Sequence, residues 1–159
     1  MGDYPDRAVA KHDIKLKIDA QLKNDIVNLA ALFKASSSRT VECIIFMAQH
    51  EYETDKDCKL IKQMRQLKAR RFSSSPSLAS YPQESRWHLT IDRDALDFCH
   101  MLTQKYPLIF DSLSMCICLC LAYARHTARG GAEPYLVGRL NEVMVLHPVR
   151  KPGSKPALQ

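Results

Sequence analysis

The chain has 159 residues, 23 Lys plus Arg against 17 Asp plus Glu for a formal net charge of +6, and 46% hydrophobic residues. This supports one real core and excludes collagen-like, mucin-like and mainly disordered chains, each of which needs a glycine, proline or apolar content not present here. The positive balance points to a polyanion as partner, although net charge alone speaks only to non-specific attraction.

Residues 1–12 read as an N-terminal arm without the apolar core of a secretory signal, so a bacterial cytoplasmic location is expected. The first patterned segment follows. Ile14, Leu16 and Ile18 alternate with Lys15 and Lys17 and end at Asp19, the signature of a half-buried strand. Apolar residues then recur at helical steps, Ile26, Leu29 and Phe33, predicting a helix from about Ala20 to Ala35. A serine-rich break comes next, with Ser38 as candidate N-cap, and a second helix over Arg39 to Glu53 carries Val41, Ile44, Ile45 and Ala48.

Residues 54–85 form a connector. Leu60, Ile61, Met64 and Leu67 stand at helical spacing among many cations, either as an amphipathic basic helix or as an extension of the helix before it. Ser73 to Ser85, rich in Ser and Pro, reads as a flexible linker. The first pattern then returns about 73 residues on. Trp87, Leu89 and Ile91 alternate with His88 and Thr90 and end at Asp92; Cys99, Leu102 and Tyr106 repeat the helical steps; Asp111 aligns with Ser38; and Leu113, Ile117 and Leu121 begin a second helix. Residues 127–147 are a C-terminal extension in which Tyr135 to His147 form a further helix or strand after the break Arg129 to Pro134, and 148–159 read as a disordered basic tail.

The unit is strand, helix, helix, twice, and each lone strand needs a partner that the other copy supplies. Residues 13–53 and 86–126 each resemble a ribbon-helix-helix unit of the Arc/MetJ type. That resemblance implies an α+β, mostly helical fold in which two units form a pseudo-dimer around a two-stranded antiparallel ribbon with four main helices, the ribbon entering the DNA major groove. Two units in one chain look like the TraY-type accessory proteins of plasmid conjugation and the single-chain accessory protein of T-DNA transfer. Implied partners are double-stranded DNA and a relaxase, with the chain a monomeric pseudo-dimer or, with strands exchanged, a homodimer. A repressor or antitoxin of the same fold, and a helical adaptor that never meets DNA, are the competing readings.

Within this frame the outward strand positions Lys15, Lys17, Arg86, His88 and Thr90 are the expected base contacts, since Lys and Arg bond guanine O6 and N7 and a Thr methyl meets a thymine methyl. Asp13 shares that side but repels phosphate and is left out. Ser37, Ser38, Arg39 and Thr40 at the start of one second helix, and more weakly Ser112 at the other, are the expected phosphate contacts, because free amides and the helix dipole favour an anion there. For the serine run, a simple capped turn is the compatible alternative.

No cofactor or metal is expected. Cys116 and Cys120 share a helix face from which Cys118 points away, so three thiolates cannot converge on one ion. With Cys43, Cys58 and Cys99 they include no CxxC pair and are read as free thiols. The longest apolar stretch, Leu113 to Ala124, is interrupted by Ser114 and falls short of the roughly 20 residues of a membrane span. Nor is an enzyme expected: phosphate-loop, dinucleotide and HExxH motifs are missing, and Cys99 and His100, adjacent on a helix, diverge by about 100°. The excess charge lies in residues 54–72 (+5) and 148–159 (+3), so salt-sensitive attraction is expected from these appendages and specificity from nearly neutral lobes.

Overall fold

The alternating segments form two nine-residue strands, β1 (Lys11–Asp19) and β2 (Glu84–Asp92). They start two residues before the expected unit bounds at 13 and 86, because pairing carries on into Lys11, His12, Glu84 and Ser85. The computed structural model describes residues 11–55, 58–73, 84–128 and 133–149. Most of the arm, residues 56–57, residues 74–83 of the serine- and proline-rich linker, residues 129–132 of the later break and nearly all of the tail therefore lie outside the described residues.

β1 and β2 pair antiparallel within the one chain, from Lys11 opposite Asp92 to Asp19 opposite Glu84. Alternation divides the ribbon into two faces. Leu16, Ile18, Trp87, Leu89 and Ile91 are buried, and Ile14 packs half-buried beside them. Each such side chain contributes roughly 1.5–3 kcal/mol by leaving water, so a one-residue slip of register, which would turn the whole set outward, is strongly disfavoured.

Both strands hand directly into a helix, and the aspartate that ends each alternation is the cap. Asp19 accepts from the Leu22 N–H at 3.1 Å to start α1 (Ala20–Phe33). Asp92 accepts from the Asp94 N–H at 2.8 Å to start α4 (Arg93–Lys105). α1 stops at Phe33, two residues before the expected end, because Lys34 turns into the left-handed region (φ 61°) and its N–H closes on the carbonyls of Ala30 and Ala31.

The second helices are α2 (Ser37–Thr54) and α5 (Leu113–Thr127). Their caps differ from those expected. Ser36, not Ser38, caps α2 by accepting from Arg39 N–H at 3.1 Å, and Ser112, not Asp111, caps α5 by accepting from Met115 N–H at 3.0 Å. The physical reason is reach: each serine lies three residues before the amide it receives, whereas Ser38 is already inside α2 and the Asp111 carboxylate is drawn to Lys68 at 3.6 Å.

The connector is a separate helix, α3 (Lys59–Ser73), and no extension of α2, since the chain leaves helical geometry at Asp55 and takes a positive φ of 56° at Cys58. Leu60, Ile61 and Met64 bury one face of α3, chiefly against α5. The C-terminal extension is a helix, α6 (Glu133–Leu146), which sinks Leu136, Leu140 and Val143 against α2 and α1. Six helices and one two-stranded sheet are thus found among the described residues, a mostly helical α+β arrangement around one continuous core. Among those residues no helix is long and apolar enough to cross a membrane.

Candidate nucleic-acid interface

The face of the ribbon turned away from the helices carries the five expected base-contact residues together. Lys15 stands opposite His88, Lys17 opposite Arg86, and Thr90 opposite Asp13, and all six are exposed. Like charges directly across a ladder destabilise it. Here Lys17 and Arg86 face each other, and no carboxylate among the described residues pairs with Lys15, Lys17 or Arg86. The other end of the face is self-satisfied: Thr90 Oγ1 donates to Asp13 at 2.8 Å, and His88 Nε2 lies 3.9 Å from the same carboxylate. Asp13, set aside from sequence, thus holds two of the five candidates in place, and the unbalanced charge concentrates at Lys15, Lys17 and Arg86.

The expected phosphate set divides. Ser37 and Ser38 are half-buried at the start of α2, and Ser38 Oγ accepts from the Thr90 N–H at 2.9 Å, which pins the first turn of α2 to the open edge of β2. Arg39 and Thr40 are not phosphate ligands in this arrangement. Thr40 is fully buried and donates to the Ser36 carbonyl at 2.8 Å. Arg39 is 7% exposed, bonded to Glu42 at 3.1 Å and to the carbonyls of Met144, at 3.3 Å, and His147. Its guanidinium satisfies the C-terminal end of α6, where the last carbonyls of a helix have no partner of their own. At the other second helix, Ser112 is exposed, with its hydroxyl used in the cap and Asp111 beside it.

Sequence reasoning missed the residue that organises this region. Glu42 is completely buried, yet it accepts from Arg39, from Lys11 Nζ and, at 2.7 Å, from the Asp92 N–H. It ties β1, the end of β2, α2 and, through Arg39, α6 into one node. The available signal was an acid three residues after a cation in an otherwise apolar run, a spacing at which helix side chains meet.

The equivalent stretch of α5 has no charge. Cys118 donates its thiol to the Lys17 carbonyl at 3.3 Å, fastening α5 to β1, while Cys116 and Cys120 are buried in the core with Cys99. Burial pushes the Cys43 thiol up to about 11, as expected of a thiol serving as core packing. No group of three or more His, Cys, Asp or Glu suited to a metal occurs among the described residues.

Comparison with protein-family models, with curated proteins and with solved structures finds no match to this chain.

Proposed function

We propose that the chain is a sequence-specific double-stranded DNA-binding protein, its two strand-helix-helix segments acting as a ribbon-helix-helix pseudo-dimer that inserts the β1–β2 ribbon into the major groove. The observation that carries this reading is the ribbon's two-sidedness: Lys15, Lys17 and Arg86 stand exposed and, among the described residues, without a carboxylate partner, over an inner face built on Ile14, Leu16, Ile18, Trp87, Leu89 and Ile91. A protein gains no stability from cations stacked across a ladder, whereas a two-stranded ribbon fits the roughly 12 Å major groove, where Lys and Arg meet guanine O6 and N7. The matching order of elements, the paired aspartate caps and the crossing of α2 to β2 and of α5 to β1 support an internal pseudo-two-fold arrangement.

The two strands present different side chains, Lys and Lys on one, Arg, His and Thr on the other. Two identical strands favour a palindrome; unlike strands favour a site without inverted symmetry. This suits an accessory factor at a transfer origin, working beside a relaxase in plasmid or T-DNA-like conjugation, better than a repressor or antitoxin at a palindromic operator. Electrophoretic mobility measurements on a duplex selected from a random pool test the reading. Lys15→Ala, Lys17→Ala and Arg86→Ala are each expected to cost about 1–3 kcal/mol of discrimination. Binding equal to that of the wild type in all three variants sinks the ribbon reading, and two equivalent inverted half-sites per molecule sink the transfer reading.

A further inference from the structure

α2 and α4 leave between them a groove of about 440 Å³. Phe46, Tyr52 and Glu53 line it from α2, and Asp97, Phe98 and Met101 from α4, each set falling on one helix face. The Tyr52 and Phe98 rings meet across it with 5.9 Å between centroids. His147, just past the end of α6, forms the end of the groove at Phe46, on whose ring it stacks.

The charge on this lining has one sign. Its carboxylates are Glu53, Asp94 and Asp97, and it includes no Lys or Arg. Burial first, then His50 and Arg39, hold the His147 pKa below 6.5, so that wall is uncharged at neutral pH. Glu53 and Asp97 are exposed; Glu53 accepts only from the neutral Gln49 amide at 3.3 Å, and among the described residues no cation pairs with either. Aromatic rings below carboxylates suit a Lys or Arg side chain, whose stem covers apolar surface while its head stays at the wet rim.

The described residues end at Val149, exposed and two residues beyond His147. The sequence goes on through residues 150–159 (RKPGSKPALQ), with three cations and no acid. Between Phe46 and Glu53 a helix rises about 10 Å, a length that roughly three extended residues span. Arg150 and Lys151 follow three and four residues after His147, which brings them within reach of Asp97 and Glu53. Lys151 and Lys155 each precede a proline, which biases a residue toward extended backbone and so lowers the entropy lost on seating.

We infer that the groove between α2 and α4 is the docking site of the chain's own C-terminal tail, with Arg150 and Lys151 laid over the aromatic floor against Asp97 and Glu53. Charge complementarity and the exit of the chain beside the groove name this occupant. Tethering makes the encounter intramolecular, at an effective concentration in the millimolar range, so exposed ion pairs that are individually weak act together. The seated tail has its cations answered by carboxylates of the same chain, which withdraws them from the salt-sensitive attraction to a polyanion expected of them from sequence. The docking itself does not depend on the DNA-binding reading.

The test uses the full chain with Cys58→Ser, which removes the exposed thiol, and Ser154→Cys carrying a nitroxide. Amide signals are compared before and after the nitroxide is reduced. Broadening is expected to be stronger at Glu53, Asp97 and Met101 than at Val145 and Leu146, which are exposed at the end of α6 from which the tail departs. Glu53→Gln with Asp97→Asn is expected to abolish that preference, and so is Arg150→Glu with Lys151→Glu, a change outside the folded core. Combining the latter with Glu53→Lys and Asp97→Lys is expected to restore it; the unbroadened signals of the reduced samples check that each variant is folded. Broadening no stronger at the groove than at Val145 and Leu146 overturns the proposal, as does a preference that survives either neutralised groove or reversed tail, or a folded charge-swapped chain that does not regain it. A mixture of nitroxide-labelled chains without isotope and isotope-labelled chains without nitroxide is expected to show no broadening at the groove; broadening there assigns the groove to a second copy and overturns docking within one chain.

Discussion

Replacing Glu42 by Gln removes one charge from the node that joins both strands to α2 and, through Arg39, to α6. The Glu42 side chain is completely buried, and the side chains of its partners Lys11 and Arg39 are only 15% and 8% exposed, so water screens the three charges little. Breaking a buried pair by removing one partner costs about 3–5 kcal/mol, because the remaining charge stays desolvated. Gln keeps the volume and one acceptor oxygen for the Asp92 N–H, which places Glu42→Gln at the low end, about 3 kcal/mol, and Glu42→Ala above it. Against a total stability of about 5–15 kcal/mol this is a large fraction, and with a urea slope of about 1–3 kcal/mol per molar the unfolding midpoint is expected to fall by ~1–3 M. Trp87, the only tryptophan, stands on β2 with 8% exposure and reports the ribbon by fluorescence, while circular dichroism reports the helices. Coincidence of the two transitions establishes that the ribbon and helices unfold together. A double-mutant cycle with Arg39→Met is expected to show coupling above about 1 kcal/mol, as contacting residues of one network do. A midpoint loss worth less than about 1 kcal/mol for Glu42→Gln, the range of a surface pair, refutes the assignment of a structural node.

Three further outcomes follow from burial and titration. Met64→Ala, at a fully buried position on α3, is expected to cost about 2–5 kcal/mol in the same urea assay; a cost near zero means that α3 is an undocked appendage. Of the six cysteines only Cys58 is exposed, so a thiol reagent is expected to label one equivalent rapidly in the native chain and six in urea, and rapid labelling of several native thiols contradicts the core packing of α5. His147 stacks on Phe46 with 3.9 Å between ring centroids and meets His50 at 2.9 Å; burial first, then His50 and Arg39, lower its pKa below 6.5, against the opposing pull of Asp92 and Asp94. A histidine whose folded pKa is depressed binds its proton more readily when unfolded, so stability is complete above the unfolded value and declines as pH falls through 6.5 toward the folded value. His147→Phe keeps the stack and is expected to flatten stability over that window; an unchanged pH dependence shows that His147 does not set it.

The ribbon and the order of helices were legible because their signals are local. Alternation over Ile14–Ile18 and Trp87–Ile91 needs no knowledge of the partner strand, and each two-sided pattern has one inward solution. Caps were less legible, since Ser36, Ser37 and Ser38 are chemically alike and only the exact start of α2 selects among them. Nothing between α2 and α3 requires a stop as a proline would, so local pattern admits either a break or a continuation; the structure breaks the helix at Asp55 and Cys58.

The role of Arg39 is hidden from local pattern for a different reason. A cation at the start of a helix beside hydroxyls has the local chemistry of an anion site, but its partners on α6 lie 105 and 108 residues away, beyond any window in which pattern reading operates. The same holds along β1. Lys11, Lys15 and Lys17 occupy the same side of one strand, yet Lys11 is spent on buried Glu42 while Lys15 and Lys17 stay exposed with no carboxylate partner among the described residues. Sequence periodicity assigns a face; it does not say where that face passes under another element. At the Lys11–Asp92 end the first turns of α2 come up against the ribbon, so the cation there stabilises the fold, while Lys15, Lys17 and Arg86 beyond that cover keep their charge exposed with no carboxylate partner among the described residues. This spatial division, more than the number of cations, selects Lys15, Lys17 and Arg86 as the residues on which the proposed DNA recognition is expected to turn.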